Sequence, residues 1–377
     1  MARLLNILSP ICTDNPGDPG VAARGLRAAL DLNEGEPDVR GLDCRSLDRA
    51  HGRGRGQRQA RCRVLSSTTP SAWARRRVAG AYDLHVHVAP DVMQRRITDL
   101  ELARACRDVG LAGFVLKSHY VPTAERAAVV NAAMGGGTWA IGALTLNAAV
   151  GGMNPIAVEI AAREGARVLW MPTVDAANHR ATHGDLPPGA TPPMWLALQA
   201  ELDAEGITTD PVPVFDGNGK PLPATREVLA LAAKHQLVVA SGHLSARETR
   251  AIADAALEAG VRHVIATHPE FPQQDMALDD QKALATDGVY LERCFTTPFT
   301  GKYDWSRMTE NIRATGAEAT IVTTDLGQPQ NPPVEDGLAL IADALREAGF
   351  TDQEITTMIV TNSRLLAGAG AATGQPE

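Results

Sequence analysis

The stretch AYDLHVHVAPD, residues 81–91, decides how this chain is read. Polar and apolar residues alternate through it, the period of a β-strand, and residues two apart on a strand project to the same side. His85 and His87 therefore point together, a chelating pair of imidazoles near a strand end, and Asp83 is expected on their face as a group that orients a ligand.

Downstream of this stretch short β-rich apolar runs alternate with longer segments of helical period. The runs are AYDLHVHV (81–88), AGFVLK (112–117), TWAIGALTL (138–146), ARVLWMP (166–172), LVVASG (237–242), RHVIATH (262–268), VYLERC (289–294) and TIVTTD (320–325). Strand and helix in strict alternation imply βαβ units on a parallel sheet, and eight of them predict a (β/α)8 TIM barrel. The helix starts are explicit. Thr98 and Glu101 stand in capping-box spacing, and Asn154-Pro155 reads as a cap followed by a first-turn proline. Helices over 245–259 and 335–348 run out at Gly260 and Gly349.

Two regions depart from the repeat. Residues 173–223, after the fourth strand, form an insertion with a helix near 194–205 and a hairpin turning at Asp216-Gly217-Asn218-Gly219. At the mouth of a barrel it would be lid-like. Residues 1–80 show neither period. They hold 14 Arg, no Lys and 8 acidic residues, a local charge of +6, against −14 for the remainder and −8 overall. This Arg-rich N-terminal extension reads as irregular and poorly ordered, and the barrel as 81–377. The Arg residues of the extension are interleaved with Gly, Gln and Ala, without the aromatic stacking groups or recognisable helix of a nucleic-acid module, so no nucleic-acid partner is expected. Five Cys without a CxxC pair, no leader pattern and no apolar run of membrane-spanning length point to a cytoplasmic enzyme without a membrane partner. A homo-oligomer is compatible with the sequence.

The predicted strands end repeatedly in metal-ligand or catalytic side chains. The second ends in Lys117-Ser118-His119, the fifth runs into Gly242-His243, the sixth ends in Thr267-His268-Pro269-Glu270, the seventh carries Glu292-Arg293, and the eighth ends in Thr324-Asp325. In a barrel all strand C-termini meet at one mouth, so these residues, far apart in sequence, become one cluster. His263 opens the sixth strand and belongs at the opposite end. His179 and His183, in the insertion, read as solvated loop side chains.

The order HxH on strand 1, His after strands 5 and 6, and Asp after strand 8 resembles the amidohydrolase superfamily, and the tail TNSRLLAG (361–368) is similar to that superfamily's closing stretch. The resemblance spans about 81–368. It implies that His85, His87 and Asp325 bind a divalent metal, Zn first, with Mn, Fe or Ni as alternatives, and that His243 and His268 bind a second ion or polarise a substrate carbonyl. It also implies that Asp325 takes the proton of the water the metal activates. Two-metal relatives carry a bridging carboxylated Lys or a Glu at the end of strand 4, where this chain has Trp170-Met171-Pro172-Thr173. Lys117 is the candidate bridge, or else a cation for a substrate carboxylate; one or two ions remain open. His119, Glu292 and Arg293 are candidate substrate-binding residues. The expected activity is hydrolysis of an amide, cyclic amide, lactone or related ester of a small molecule, and the alternative on the same scaffold is metal-dependent decarboxylation of an aromatic or related acid. No GxSxG, Walker loop or GxGxxG supports other chemistry.

Overall fold

In a computed structural model of the protein, the residues described are 68–182, 194–207 and 210–368. All eight expected strands are present: β1 (Tyr82–Val86), β2 (Gly113–Leu116), β3 (Trp139–Thr145), β4 (Ala166–Trp170), β5 (Val238–Ala240), β6 (Val264–Ala266), β7 (Tyr290–Cys294) and β8 (Thr320–Thr323). They pair in parallel, in sequence order. The barrel closes between its first and last strands through bonds from Asp325 N to His85 O (2.8 Å) and from His87 N to Leu326 O (2.8 Å). Each strand is shorter than its apolar run. The residues left over, from His87 and Lys117 to Asp325, lie just past the strand ends, at the C-terminal mouth.

The helices follow their sequence signals. Before the barrel lies α1 (Ala72–Arg77), and outside it run α2 (Asp99–Val109), α3 (Ala124–Met134) and α4 (Pro155–Arg163). The insertion holds α5 (Ala177–Thr182) and α6 (Met194–Ala204). It is followed by α7 (Pro223–Lys234), α8 (Ala246–Glu258), α9 (Leu278–Thr286), α10 (Thr296–Phe299), α11 (Trp305–Thr315), α12 (Val334–Glu347), α13 (Asp352–Thr356) and α14 (Asn362–Ala367). The reciprocal capping box at Thr98 and Glu101 opens α2, the Asn154 side chain caps α4 above Pro155, and a second box, Ser245 with Glu248, opens α8. The hairpin at Asp216 forms as expected, with Phe215 bridged to Pro221. No helix among the described residues is long and apolar enough to cross a membrane.

The core follows from this layering. Tyr82, Leu84, Val115, Val168, Trp170, Val238, Ile265 and Ile321 fill the barrel, joined by Leu366 of α14. That last helix explains the tail motif: Asn362 Nδ2 donates to the carbonyls of Ala317, Glu318 and Thr320, and Ser363 Oγ accepts from Tyr82 N. The tail thus stitches the starts of β1 and β8 together at the end opposite the site.

The N-terminal extension lies outside the described residues up to 67. Its last part does not: α1 precedes the boundary expected at 80 and packs on α12. Arg75 pairs with Asp336 and Arg77 with Asp352, while Ser71 Oγ donates to Asp343 (2.6 Å). Ala74 and Val78 are buried beneath it.

Candidate active site

Among the described residues six histidines, His85, His87, His119, His179, His243 and His268, meet at the mouth. The ring of His85 lies 5.4 Å from that of His87, which is 4.9 Å from His119. His119 lies 6.0 Å from His243, and His243 5.1 Å from His268. All of them are buried.

The cluster has a focus. Asp325 Oδ1 is 3.2 Å from both His85 Nε2 and His87 Nε2, and Lys117 Nζ reaches His85 Nε2 at 2.9 Å. The far nitrogen of His85, Nδ1, donates to Glu292 Oε1 (3.0 Å), which also accepts from Thr323 Oγ1 (3.0 Å). Glu292 Oε2 accepts from the backbone of His268 (3.3 Å). One carboxylate on β7 therefore holds the ring of His85 and the chain at His268. His119 Nδ1 sits 2.8 Å from Thr173 Oγ1, itself fixed by Asn147.

Local backbone serves these positions. Asp325 (φ 52°) and His268 (φ 27°) adopt left-handed conformations that cost non-glycine residues about 1–3 kcal/mol each. Gly327 (φ +135°) lies so close to β1 that an added Cβ would fall 1.6 Å from His87 O. Only glycine lets the loop after β8 close against the HxH strand.

Electrostatics separates the roles. Burial alone would raise Asp325, but charge and hydrogen bonds from His85 and His87 hold it well below the usual carboxylate range. Burial and Lys117 push His85 down, yet Glu292 and Asp325 outweigh them and leave it above its ordinary value. Burial drives His87, His119 and His243 well down, and brings His268 to about 4. Burial likewise lowers Lys117. Imidazoles facing an ionised carboxylate, with His87 held neutral, make a donor set suited to a divalent cation. His85, His87 and Asp325 offer ligand atoms within 4.8 Å of one another. Among the described residues Nδ1 of the buried His268 has no hydrogen-bond partner.

Other residues stand elsewhere than the alternation suggests. The β1–β2 register shifts between Asp83 and Val86, so Leu84 joins the barrel interior and Asp83 leaves the face of His85. The Asp83 carboxylate instead accepts from Thr324 Oγ1 (2.5 Å), Thr324 N and His85 N, and burial raises it to about 7. Arg293 is not brought to the cluster. Its guanidinium pairs with Glu270 and donates to Gln281 Oε1 (2.7 Å) and Thr315 Oγ1 (3.2 Å), a buried structural network. His179, expected in solvent, is buried with its Nδ1 3.0 Å from His243 Nδ1. His183 lies outside the described residues. Arg95, bonded to Asp91 and 3.4 Å from His87 Nδ1, carried no signal in the sequence.

A sequence model for a family of unknown function, DUF6282, matches residues 80–292. The chain belongs to that family. In this DUF6282 chain the matched region runs from the start of β1 into β7, taking in His85, His87, Lys117, His119, His243, His268 and Glu292 but ending before Asp325. No curated protein matches the sequence. Among solved structures, the "probable dipeptidase PvdM" of Pseudomonas aeruginosa superposes with a TM-score of 0.52 at 10% identity, over 81% of this chain and 98% of that one. An amidohydrolase from the same organism gives 0.49 at 12% identity, over 79% and 98%. At such identities the likeness is one of fold, the (β/α)8 barrel expected above.

Proposed function

We propose that the protein is a metal-dependent hydrolase that cleaves an amide, cyclic amide, lactone or related ester of a small molecule. The observation that carries this reading is the convergence of His85 Nε2 and His87 Nε2 on one carboxylate oxygen, Asp325 Oδ1. Lone-pair atoms gathered in a buried site require a cation among them. Lys117 supplies one charge there, and His85, His87 and Asp325 are the residues that would hold a divalent ion, with His243 and His268 beside them for a second ion or a substrate carbonyl. Such an ion, Zn by preference, supplies Lewis acidity, lowering the pKa of water and polarising a carbonyl.

The protein's own groups divide the remaining work. Asp325, held ionised, accepts the proton of the attacking water and returns it to the leaving group; its Oδ2 is steadied by Thr296 Oγ1 (3.2 Å). Glu292 keeps the proton of His85 on Nδ1 and so leaves Nε2 as the ligand atom. Lys117 either becomes a carbamate with carbon dioxide and completes the donor set, or remains an ammonium that binds a substrate carboxylate.

The test is turnover in ¹⁸O water against a panel of N-acyl amino acids, cyclic amides and lactones. Label is expected in the carboxylate of the product. A second reading, decarboxylation of an aromatic acid, is favoured by Trp170, which stands 5.6 Å from His85 at the end of β4 where a metal-bridging group would be. Release of carbon dioxide from an aromatic acid with no label in the organic product, and no hydrolysis across the panel, would select it.

A further inference from the structure

The insertion meets the site at α5. Within it α5 is tied across two loops, since Asn178 Nδ2 donates to His243 O (3.2 Å) and to Gln273 O (2.8 Å). The next residue, His179, is buried under Trp195 of α6, ring to ring 4.5 Å, and presents Nδ1 to His243 Nδ1 at 3.0 Å. The two imidazoles are 4.6 Å apart.

Two ring nitrogens at that separation share one hydrogen, so one ring donates and the other accepts. If His243 donates, its proton is fixed on Nδ1 and its Nε2 carries a lone pair for a ligand. If His179 donates, the hydrogen of a neutral His243 is forced onto Nε2, and that atom can ligate nothing. Ligating histidines almost always give their other N–H to a carboxylate, a carbonyl or water. Among the described residues no carboxylate or carbonyl bonds the His243 ring; His179 stands in that place.

We propose that His179 is a positioning residue that accepts the Nδ1 hydrogen of His243, fixing its ring and tautomer, so that the His243 side of the site is assembled only when α5 is seated. This deepens the reading above and rests on it for the claim that Nε2 meets a metal or a carbonyl. The insertion is then part of the site's construction, and changes in α5 act on ligand binding through His243.

Two measurements on the full chain test this. In metal-free protein labelled with ¹⁵N-histidine, two-bond N–H correlation spectra are expected to show His243 protonated on Nδ1. His179→Phe, which keeps the aromatic packing but removes the acceptor, should abolish that preference, and His179→Gln, whose carbonyl can accept, should restore it. In titrations with Zn²⁺ alone, the component of binding lost in His243→Ala should weaken about 10- to 100-fold in His179→Phe and recover in His179→Gln. A His243 protonated on Nε2 in the unaltered protein, or a His179→Phe variant that binds Zn²⁺ unchanged, overturns the inference. An unaltered protein that takes up no Zn²⁺ yet shows the Nδ1 tautomer overturns the metal reading instead, and the tautomer spectra of the variants then decide the role of His179.

Discussion

Glu292 and Arg293 are adjacent on β7, both buried and both polar, and their functions diverge because a strand sends neighbours to opposite faces. Glu292 faces the barrel and holds His85 and the His268 backbone, whereas Arg293 faces the helices and is neutralised by Glu270. Glu292→Gln should therefore weaken metal binding about 10- to 100-fold with the fold intact, read by competition with a chromophoric chelator. Arg293→Met should do the reverse. It leaves Glu270 buried without its cation, at a cost of about 3–5 kcal/mol in denaturant unfolding, while metal content stays that of the unaltered protein. Residue types and their order along the strands made the main cluster legible: HxH, His243, His268 and Asp325 all arrive together. What could not be read were facings that depend on neighbours. The shift in β1 that turns Asp83 away, and the outward turn of Arg293, are set by pairing and packing that no local period encodes.

At the scale of elements, capping residues and terminal glycines located α2, α4, α8 and α12 to within a residue at the ends they mark, because caps are short-range chemistry. The insertion was harder. Its helix α5 is a short segment held by the loops after β5 and β6 and covered by α6, contacts that no local period encodes, and so its His179 reads in sequence as a loop side chain. Contacts between helices also contribute to the response to acid. Glu159 on α4 pairs with Arg163 and, across to the end of α7, with Lys234 and His235, and hydrogen bonds led by that from His235 lower its carboxyl to about 2. A carboxyl depressed in the folded state contributes stability that is complete above its unfolded pKa, near 4.5, and is lost as pH falls through about 2. Glu159→Gln should therefore raise the pH midpoint of acid unfolding followed by circular dichroism and shift stability much less below pH 2 than above pH 5; an unchanged midpoint would remove this pair from the account.

For the molecule as a whole, the barrel was readable because eight strand–helix repeats leave few alternative topologies, and a barrel brings all strand ends to one place. The boundary at its start was less so, since α1 belongs to the barrel by its contacts with α12, while its sequence, AWARRR, looks like more of the basic extension. A chain beginning at residue 81 should be less stable than one beginning at 68 by about 2 kcal/mol or more, from the lost burial of Val78 and Ala74, as read by thermal unfolding. The converging histidines and Asp325 are proposed to hold a divalent ion. The most direct measurement is elemental analysis of the purified protein beside its Asp325→Ala variant, with circular dichroism to verify that both are folded. One or two equivalents of a divalent metal in the unaltered chain, and loss of metal together with hydrolytic activity in the variant, are the predicted results; hydrolysis at full rate by protein stripped of metal would contradict the account.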